Sequence, residues 1–386
     1  MSTNHLRIGV VCGEHSGDRL GANLINEIKK NHNVTLYGVG GPEIEKLGLD
    51  SDFNFNDLQI MGLIEPIIKY KSLSRKRKSL IRLFKEKKID IFIGIDSPDF
   101  NISIHKELKK IKTCKNIQLV SPSVWAWRQN RIKSIKKHID LTVCLFKFEH
   151  DFYQKEHHKS LHLGHPFNSL EKIPFDDVAK KYELGKNKKY ISILPGSRES
   201  EIENMLPIFL DFIKKHSINN KDFIYLIPAS DKRLYEKISR IVPKQDNILI
   251  KENSMREFLS ISDFSIVTSG TATLESAVLG CPPIICYKTN PINYFIISRM
   301  LKIRNVGLPN ILLGSNYFTE LIQKDCHEVN ILNATTTIQN MMLDNISISD
   351  KLRSILTGDG FESVANKILE LWRLLLLEQT RLEEAH

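Results

Sequence analysis

Short apolar runs recur along the chain, and the stretches between them place apolar residues at helical spacing. The first set is Ile8–Cys12, Leu36–Val39, Ile91–Ile95, Gln118–Val120 and Leu141–Leu145. The second is Ile191–Leu194, Phe223–Ile227, Ile248–Ile250, Phe264–Thr268 and Ile284–Tyr287. Runs apolar on both faces and separated by helices predict parallel strands covered on each side. The rhythm breaks at the polar, Lys-rich stretch Asp176–Lys189, so the pattern predicts two doubly wound, Rossmann-like α/β domains facing a cleft. Residues 1–175 form the first and 176–360 the second. Beyond them, Val364, Ile368, Leu371, Leu374 and Leu375 predict a long amphipathic C-terminal helix over 361–386. Packing on the second domain and a return onto the first both suit it.

Composition narrows the class. The chain has 386 residues, 41% hydrophobic and 26% charged, as expected of a globular protein with more than one core. Its net charge of +10 favours an anionic partner without saying which. Cys12, Cys114, Cys144, Cys281, Cys286 and Cys326 are scattered, with no C-x-x-C pair, and read as reduced core residues of a cytoplasmic protein. The start reads as a strand rather than a signal peptide, and no apolar stretch reaches the ~18 residues a spanning helix needs.

Candidate chemistry gathers where predicted strands give way to helices. In the second domain, Pro195-Gly-Ser-Arg-Glu-Ser-Glu-Ile202 and Ser269-Gly-Thr-Ala-Thr-Leu-Glu275 put small residues at such junctions. The first N–H groups of a helix lack partners and carry partial positive charge, which suits phosphate. With Arg198 at one junction and Glu275 at the other, the pair predicts a nucleotide diphosphate held by Ser197, Ser269, Gly270, Thr271 and the guanidinium, its ribose read by Glu275.

In the first domain, Gly13-Glu-His-Ser-Gly-Asp-Arg-Leu-Gly21 follows the first strand but is neither a G-x-G-x-x-G fingerprint nor a Walker A loop. A tight turn capped by Ser16 or Asp18 also accounts for it. Asp96-Ser-Pro-Asp-Phe-Asn101 places two carboxylates at the same sheet edge. Asp96, directly off the strand, is the candidate general base, whereas Asp99 sits where a helix cap would. Ser121-Pro-Ser-Val-Trp-Ala-Trp-Arg-Gln-Asn-Arg131 offers aromatic faces for sugar or acyl groups beside arginines for phosphate, with rim packing as the alternative.

Basic residues crowd Lys69–Lys88 against the single acid Glu86, interleaved with Leu73, Leu80, Ile81 and Phe84, and an apolar stretch over 60–68 precedes them. A basic amphipathic helix suits docking on an anionic membrane face, with a solvated helix as the alternative; few aromatics are available for stacking nucleic-acid bases. His138, His150, His157, His158, His162 and His165 lack the spacing of metal ligands, and neither a metal nor a cofactor is expected.

Taken in order, Gly13-Glu-x-Ser-Gly-Asp18, Ile95-Asp-Ser-Pro-Asp-Phe-Asn101, Ser121-Pro-Ser-Val-Trp-Ala-Trp127, Gly164-His-Pro166, Leu194-Pro-Gly-Ser-Arg-x-x-Glu-Ile202, Ser269-Gly-Thr-Ala-Thr-Leu-Glu275 and Leu308-Pro-Asn310 resemble the lipid-A-disaccharide synthases, glycosyltransferases of the two-Rossmann GT-B architecture. The resemblance implies inverting transfer of 2,3-diacylglucosamine from UDP to 2,3-diacylglucosamine 1-phosphate, at the inner face of the cytoplasmic membrane. It implies catalytic roles for Asp96, Arg198, Glu14 and Ser16. It adds Trp125, Arg128, Asp99, Asn310 and Gln323 to the substrate-binding set. One departure is visible: the family's Pro before Glu-x-x-Gln is absent from Tyr317-Phe-Thr-Glu-Leu-Ile-Gln323. Related UDP-GlcNAc enzymes, a lipid II glycosyltransferase or an epimerase, share the nucleotide corners but not the Trp125-Ala-Trp127 string. A non-catalytic membrane- or RNA-binding protein would leave those corners without a use. Oligomeric state stays open.

Overall fold

The structure is a computed structural model that describes residues 5–58, 70–126, 129–290, 305–341 and 345–384. They fall into two compact units, one running to His165 and resuming at Thr357, the other running from Pro166 to Leu356.

The first unit carries a six-stranded parallel sheet of β1 (His5–Cys12), β2 (Asn33–Val39), β3 (Ile91–Ile95), β4 (Lys115–Leu119), β5 (Leu141–Cys144) and β6 (Ser160–His162). Its order is β2-β1-β3-β4-β5-β6. The second holds β7 (Lys189–Leu194), β8 (Phe223–Ala229), β9 (Ile248–Glu252), β10 (Phe264–Thr268), β11 (Pro283–Tyr287) and β12 (Glu320–Ile322), in the order β12-β11-β10-β7-β8-β9. Two parallel sheets with intervening helices match the expected fold class. Every residue of β3 and β10 is buried, because helices on both faces leave such strands no wet side.

The helices that matter for the site are α1 (His15–Lys29), α2 (Tyr70–Glu86), α3 (Pro98–Leu108), α4 (Lys147–Lys155), α5 (Glu199–Asn219), α6 (Thr271–Val278) and α7 (Gly360–Glu384). The C-terminal helix α7 lies in the first unit, with Trp372 edge-on to His32 just beyond α1 and its Val364, Ile368 and Leu375 buried. Each fully buried aliphatic side chain contributes about 1.5–3 kcal/mol, enough to hold the chain's return.

The unit boundary falls at His165–Pro166, ahead of the break at 175 read from composition. Hydrogen bonds between side chains and backbone explain the difference. The Ile173 N–H donates to Ser260 Oγ at 3.0 Å and Arg256 donates to the Glu171 carbonyl at 2.8 Å, so this stretch belongs with the second unit. On return, the N–H groups of Asp359 and Gly360 donate to the carbonyls of His162 and Leu163 beside β6.

Sheet order decides where ligands can sit. In the first unit the chain leaves β1 for β2 on one side, then comes back to place β3 on the other. In the second it runs β7-β8-β9 outward and restarts with β10 across from β7. Loops diverge at such reversals and leave a crevice at the carboxyl ends of the strands. The residues following β1 and β3, and those following β7 and β10, are therefore at the two switch points.

Candidate active-site corners

In the first unit the loop after β1 presses against the turn after β3. A Cβ on Gly13 would lie 2.4 Å from Ser97 Oγ, so only glycine lets the two corners meet. Asp18 does not cap its own helix. Its buried carboxylate accepts from the N–H groups of Gly41, Glu43 and Ile44 at 2.9, 2.8 and 3.2 Å and so caps the short helix Pro42–Glu45. Glu14 holds the cap position of α1, half-buried, and Ser16 is exposed in that helix's first turn.

Asp96 and the following Ser97 both adopt left-handed backbone, with φ of 51° and 40°. For non-glycine residues each such conformation costs about 1–2 kcal/mol, and neighbours must hold it. They do so through the Asp96 carbonyl, which accepts from Asn101 Nδ2 at 2.9 Å and from Gln118 Nε2 at 3.2 Å; both amides are buried. The Asp96 N–H is tied to the Leu119 carbonyl. Asp99 is not the cap expected from the sequence. Ser97 holds the cap position, Pro98 opens α3, and Asp99 in the first turn pairs with Arg131 near the surface.

Trp125 lies after β4, half-buried, and its indole N–H donates to Glu149 Oε1 at 3.1 Å. The same carboxyl receives the Phe146 N–H at 3.3 Å through Oε2. Glu149 is 5% exposed, and burial pushes its carboxyl up to about 8 despite those two donors, with Asp96 adding to the shift. Rings continue from the indole: Trp125 meets Phe148 edge-on at 4.6 Å, Phe148 stacks on Phe146, and Phe146 stacks on His165, each at 5.6 Å. Burial lowers His165 to about 4, so it is neutral there at ordinary pH. Trp127, Arg128 and the apolar segment 60–68 lie outside the described residues.

In the second unit, Gly196 turns the chain after β7 with φ of 125°, and a Cβ there would sit 2.4 Å from that of Glu201. That contact exists because Glu201 folds back over the corner. Its carboxylate accepts from the Ser197 N–H at 2.9 Å and from Arg198 Nη1 at 2.7 Å, which fixes the guanidinium at the start of α5. After β10, Gly270 precedes α6, whose first residue Thr271 is exposed at the corner. Ser269 is pinned through its N–H to the Cys286 carbonyl and through Oγ to the Val306 carbonyl. Glu275 is buried on α6, one turn beyond Thr271. Tyr287 ends β11; burial raises its phenol and the nearby Glu201 carboxylate adds to that.

Other expected residues are engaged differently. Asn310 has no exposed surface: its amide donates to the Phe318 carbonyl and to Glu320 Oε1, and its oxygen accepts from the Phe318 N–H. Glu320 also accepts from the N–H groups of Val306 and Gly307, so the stretch lacking the family proline is organised by a carboxylate. Gln323 follows β12 in left-handed backbone, φ 53°, and its oxygen accepts from the Thr289 N–H at 3.4 Å.

Asn101, Gln118, Glu149, Glu201 and Tyr287 stood outside the residues expected from sequence. Asn101 and Glu201 sit inside the quoted strings and mark themselves by their short spacing to Asp96 and Arg198. Glu149, an acid directly after Phe148 and just beyond a strand, also had a readable signal. Gln118 and Tyr287 had none. Among the described residues no cluster of three or more His, Cys, Asp or Glu could hold a metal ion, and all six cysteines are free and buried.

Two doubly wound units, each with its chemistry-bearing loops at a switch point, define a GT-B-like α/β protein of the glycosyltransferase and epimerase type. Solved structures agree on that fold. The S. aureus MnaA–UDP co-structure superposes with a TM-score of 0.61 over 93% of this chain and 94% of that one, at 13% identity. A glycosyltransferase from Rickettsia africae gives 0.57 over 97% and 99%, also at 13% identity. The model of the family described as Lipid-A-disaccharide synthetase matches residues 8–367. Lipid-A-disaccharide synthase from Acinetobacter baylyi is 37% identical, covering 95% of this chain and 98% of its own, and that from Colwellia psychrerythraea is 34% identical over 96% of each. The chain belongs to the Lipid-A-disaccharide synthetase family.

Proposed function

We propose that this chain, a disaccharide-forming glycosyltransferase by its family, binds the UDP of the donor on its second unit and the acceptor on its first. The donor is UDP-2,3-diacylglucosamine and the acceptor 2,3-diacylglucosamine 1-phosphate; the products are the β-1,6-linked disaccharide 1-phosphate and UDP. The observation that carries the reading is the strained turn that holds Asp96 at the switch point of the first sheet. Left-handed backbone at two successive non-glycine residues persists only when the surroundings enforce it, and such strain gathers at functional sites.

In this mechanism Asp96 removes the proton from the acceptor 6-hydroxyl as its oxygen attacks the donor anomeric carbon. The bond from that carbon to the UDP oxygen breaks, and the configuration inverts. The departing diphosphate carries the electron pair, and Arg198 with the N–H groups at the starts of α5 and α6 stabilises that charge before the reaction begins. Glu201 keeps Arg198 and the Ser197 N–H aimed, so little reorganisation is needed. Glu275 reads the ribose hydroxyls. Glu14 and Ser16 line the acceptor side, with Trp125 beneath the acceptor's apolar face.

Membrane docking falls to α2. It turns Leu80 and Phe84 into the core and leaves Lys71, Arg75, Lys78, Arg82 and Lys85 exposed, a basic face that suits anionic headgroups. No described helix is long and apolar enough to cross a membrane, so contact at the surface is the mode proposed.

UDP release from the diacylated donor, measured with and without the phosphorylated acceptor, tests the reading. Release should require the acceptor. Asp96→Ala and Arg198→Ala should each lower kcat by about 10²-fold or more, with near-native thermal unfolding. Near-native rates in both variants would refute the assignments.

A further inference from the structure

Glu149 has no part in the mechanism above, yet it is a carboxyl buried at the edge of the first sheet. A carboxyl with 5% exposure that keeps its proton to about 8 is far from its ordinary range. Burying an ionisable group costs more than burying an apolar one of similar size unless its polar atoms are used. Both oxygens are used here: one takes the Trp125 indole N–H at 3.1 Å, the other the Phe146 N–H at 3.3 Å.

The position of these residues gives the pairing its meaning. Asp96 follows β3, Trp125 follows β4 and Phe146–Glu149 follow β5, three neighbouring strands of one parallel sheet, so all stand at its carboxyl edge. Phe146 and Phe148 flank Glu149 and carry the ring contacts from the indole to His165. One carboxyl thereby fixes the indole by a direct bond and the ladder behind it through the Phe146 backbone.

We propose that Glu149 is a positioning residue for acceptor binding: by holding the Trp125 indole N–H, it sets the ring in the pose against which the acceptor lies. The proposal rests on the reading of Trp125 as an acceptor contact. Glu149 touches no substrate in it and acts through the ring alone. Asp96 after β3 adds to the rise of Glu149, while Cys144 at the end of β5 and Tyr153 on α4 are raised chiefly by burial and further by Glu149 itself.

A double-mutant cycle tests this with acceptor KM as the readout, donor being saturating, and thermal unfolding measured in parallel. Glu149→Ala and Trp125→Ala should each raise acceptor KM about five-fold or more, with kcat and donor KM within about two-fold of wild type. The double variant should be no worse than Trp125→Ala. Glu149→Gln, whose amide oxygen still accepts the indole N–H, should recover most of the loss seen in Glu149→Ala, whereas Glu149→Met, of similar size but with no oxygen to accept it, should not, which separates the hydrogen bond from mere space filling. Should Glu149→Ala fail to fold, Trp125→Phe removes the same hydrogen bond from the ring side and should raise acceptor KM alone. A raised KM in Trp125→Ala with wild-type KM in Glu149→Ala, or additive losses in the double variant, would overturn the role of Glu149 while leaving Trp125 as an acceptor contact. Unchanged acceptor KM in Trp125→Ala would overturn both.

Discussion

Asn101→Ala probes the turn on which the chemistry depends. Asn101 is fully buried; its Nδ2 donates to the Asp96 carbonyl at 2.9 Å and, at 3.4 Å, to that of Ile95. Removing it deletes a hydrogen bond worth about 1 kcal/mol and leaves a small void, for a total of about 1–2 kcal/mol. In a unit of this size that lowers Tm by about 3–6 °C. The effect on catalysis should be disproportionate. Asp96 and Ser97 hold left-handed backbone that costs about 1–2 kcal/mol per residue, and with Asn101 gone the Asp96 carbonyl keeps the 3.2 Å bond from Gln118 but loses its shorter one. If the turn relaxes, the carboxylate moves, and a displacement of about 1 Å can reduce turnover about 10²-fold. Donor KM should hold, because the corners proposed to take UDP are in the other unit. The assay pairs UDP-release kinetics with calorimetry at a temperature where the variant is fully folded. A variant that loses stability yet keeps kcat within about three-fold of wild type would show that the Asp96 geometry does not depend on this strain.

Two further outcomes follow from charge. Glu149 keeps its proton to about 8 when folded, against an ordinary 4.5, so between those values the unfolded chain has released a proton that the folded chain retains. Stability must then fall as pH rises through that window, by about 5 kcal/mol at most, and Glu149→Gln should lack this slope. Urea unfolding of both proteins at pH 5 and pH 8 checks it: the advantage of the variant should grow with pH, and a constant difference would contradict a carboxyl held neutral by burial. On α2, replacing Lys71, Arg75, Lys78 and Arg82 with Gln removes bases worth about 1 kcal/mol each near an anionic surface. Partition onto anionic vesicles should weaken by about 10²-fold or more while UDP release on detergent-dispersed substrates holds; unchanged partition in a sedimentation assay would discard the docking face.

The sequence was most informative where burial leaves little choice. Strands covered on both faces are mostly apolar, so the runs from Ile8 to Leu145 and from Ile191 to Tyr287 located the inner strands of both sheets and the longer edges β2 and β9 as well. The two missed strands, Ser160–His162 and Glu320–Ile322, are three-residue edges with one flank unpaired, which do not need an apolar run. Asp99 misled because Asp is a common cap, but Pro at the first helical position moved the helix start back to Pro98. Spacing in the tail revealed an amphipathic helix and could not say which surface it covers; its contact with α1 is a tertiary fact. Nor could sequence reveal that Asp18 serves a helix more than twenty residues onward through Gly41, Glu43 and Ile44.

What sequence hides most completely is adjacency across a switch point. Gly13 and Ser97 are far apart along the chain, yet the order β2-β1-β3 brings their corners so close that a single added carbon would collide. The loops after β7 and β10 are brought side by side by the same device. The two pairs are tuned in opposite ways. In the second unit, Glu201 restrains a corner whose Ser197 and Thr271 are exposed, which suits the proposed site for a mobile, highly charged nucleotide. In the first, buried amides from Asn101 and Gln118 hold a strained turn, which suits the proposed role of Asp96 as a single proton-accepting carboxylate. Anion binding tolerates small displacements because several backbone dipoles share the charge, whereas proton transfer works only over hydrogen-bond distance. The stiffer construction therefore belongs under Asp96, and substitutions that loosen the first unit's turn should harm kcat more than equally destabilising ones at the nucleotide corners.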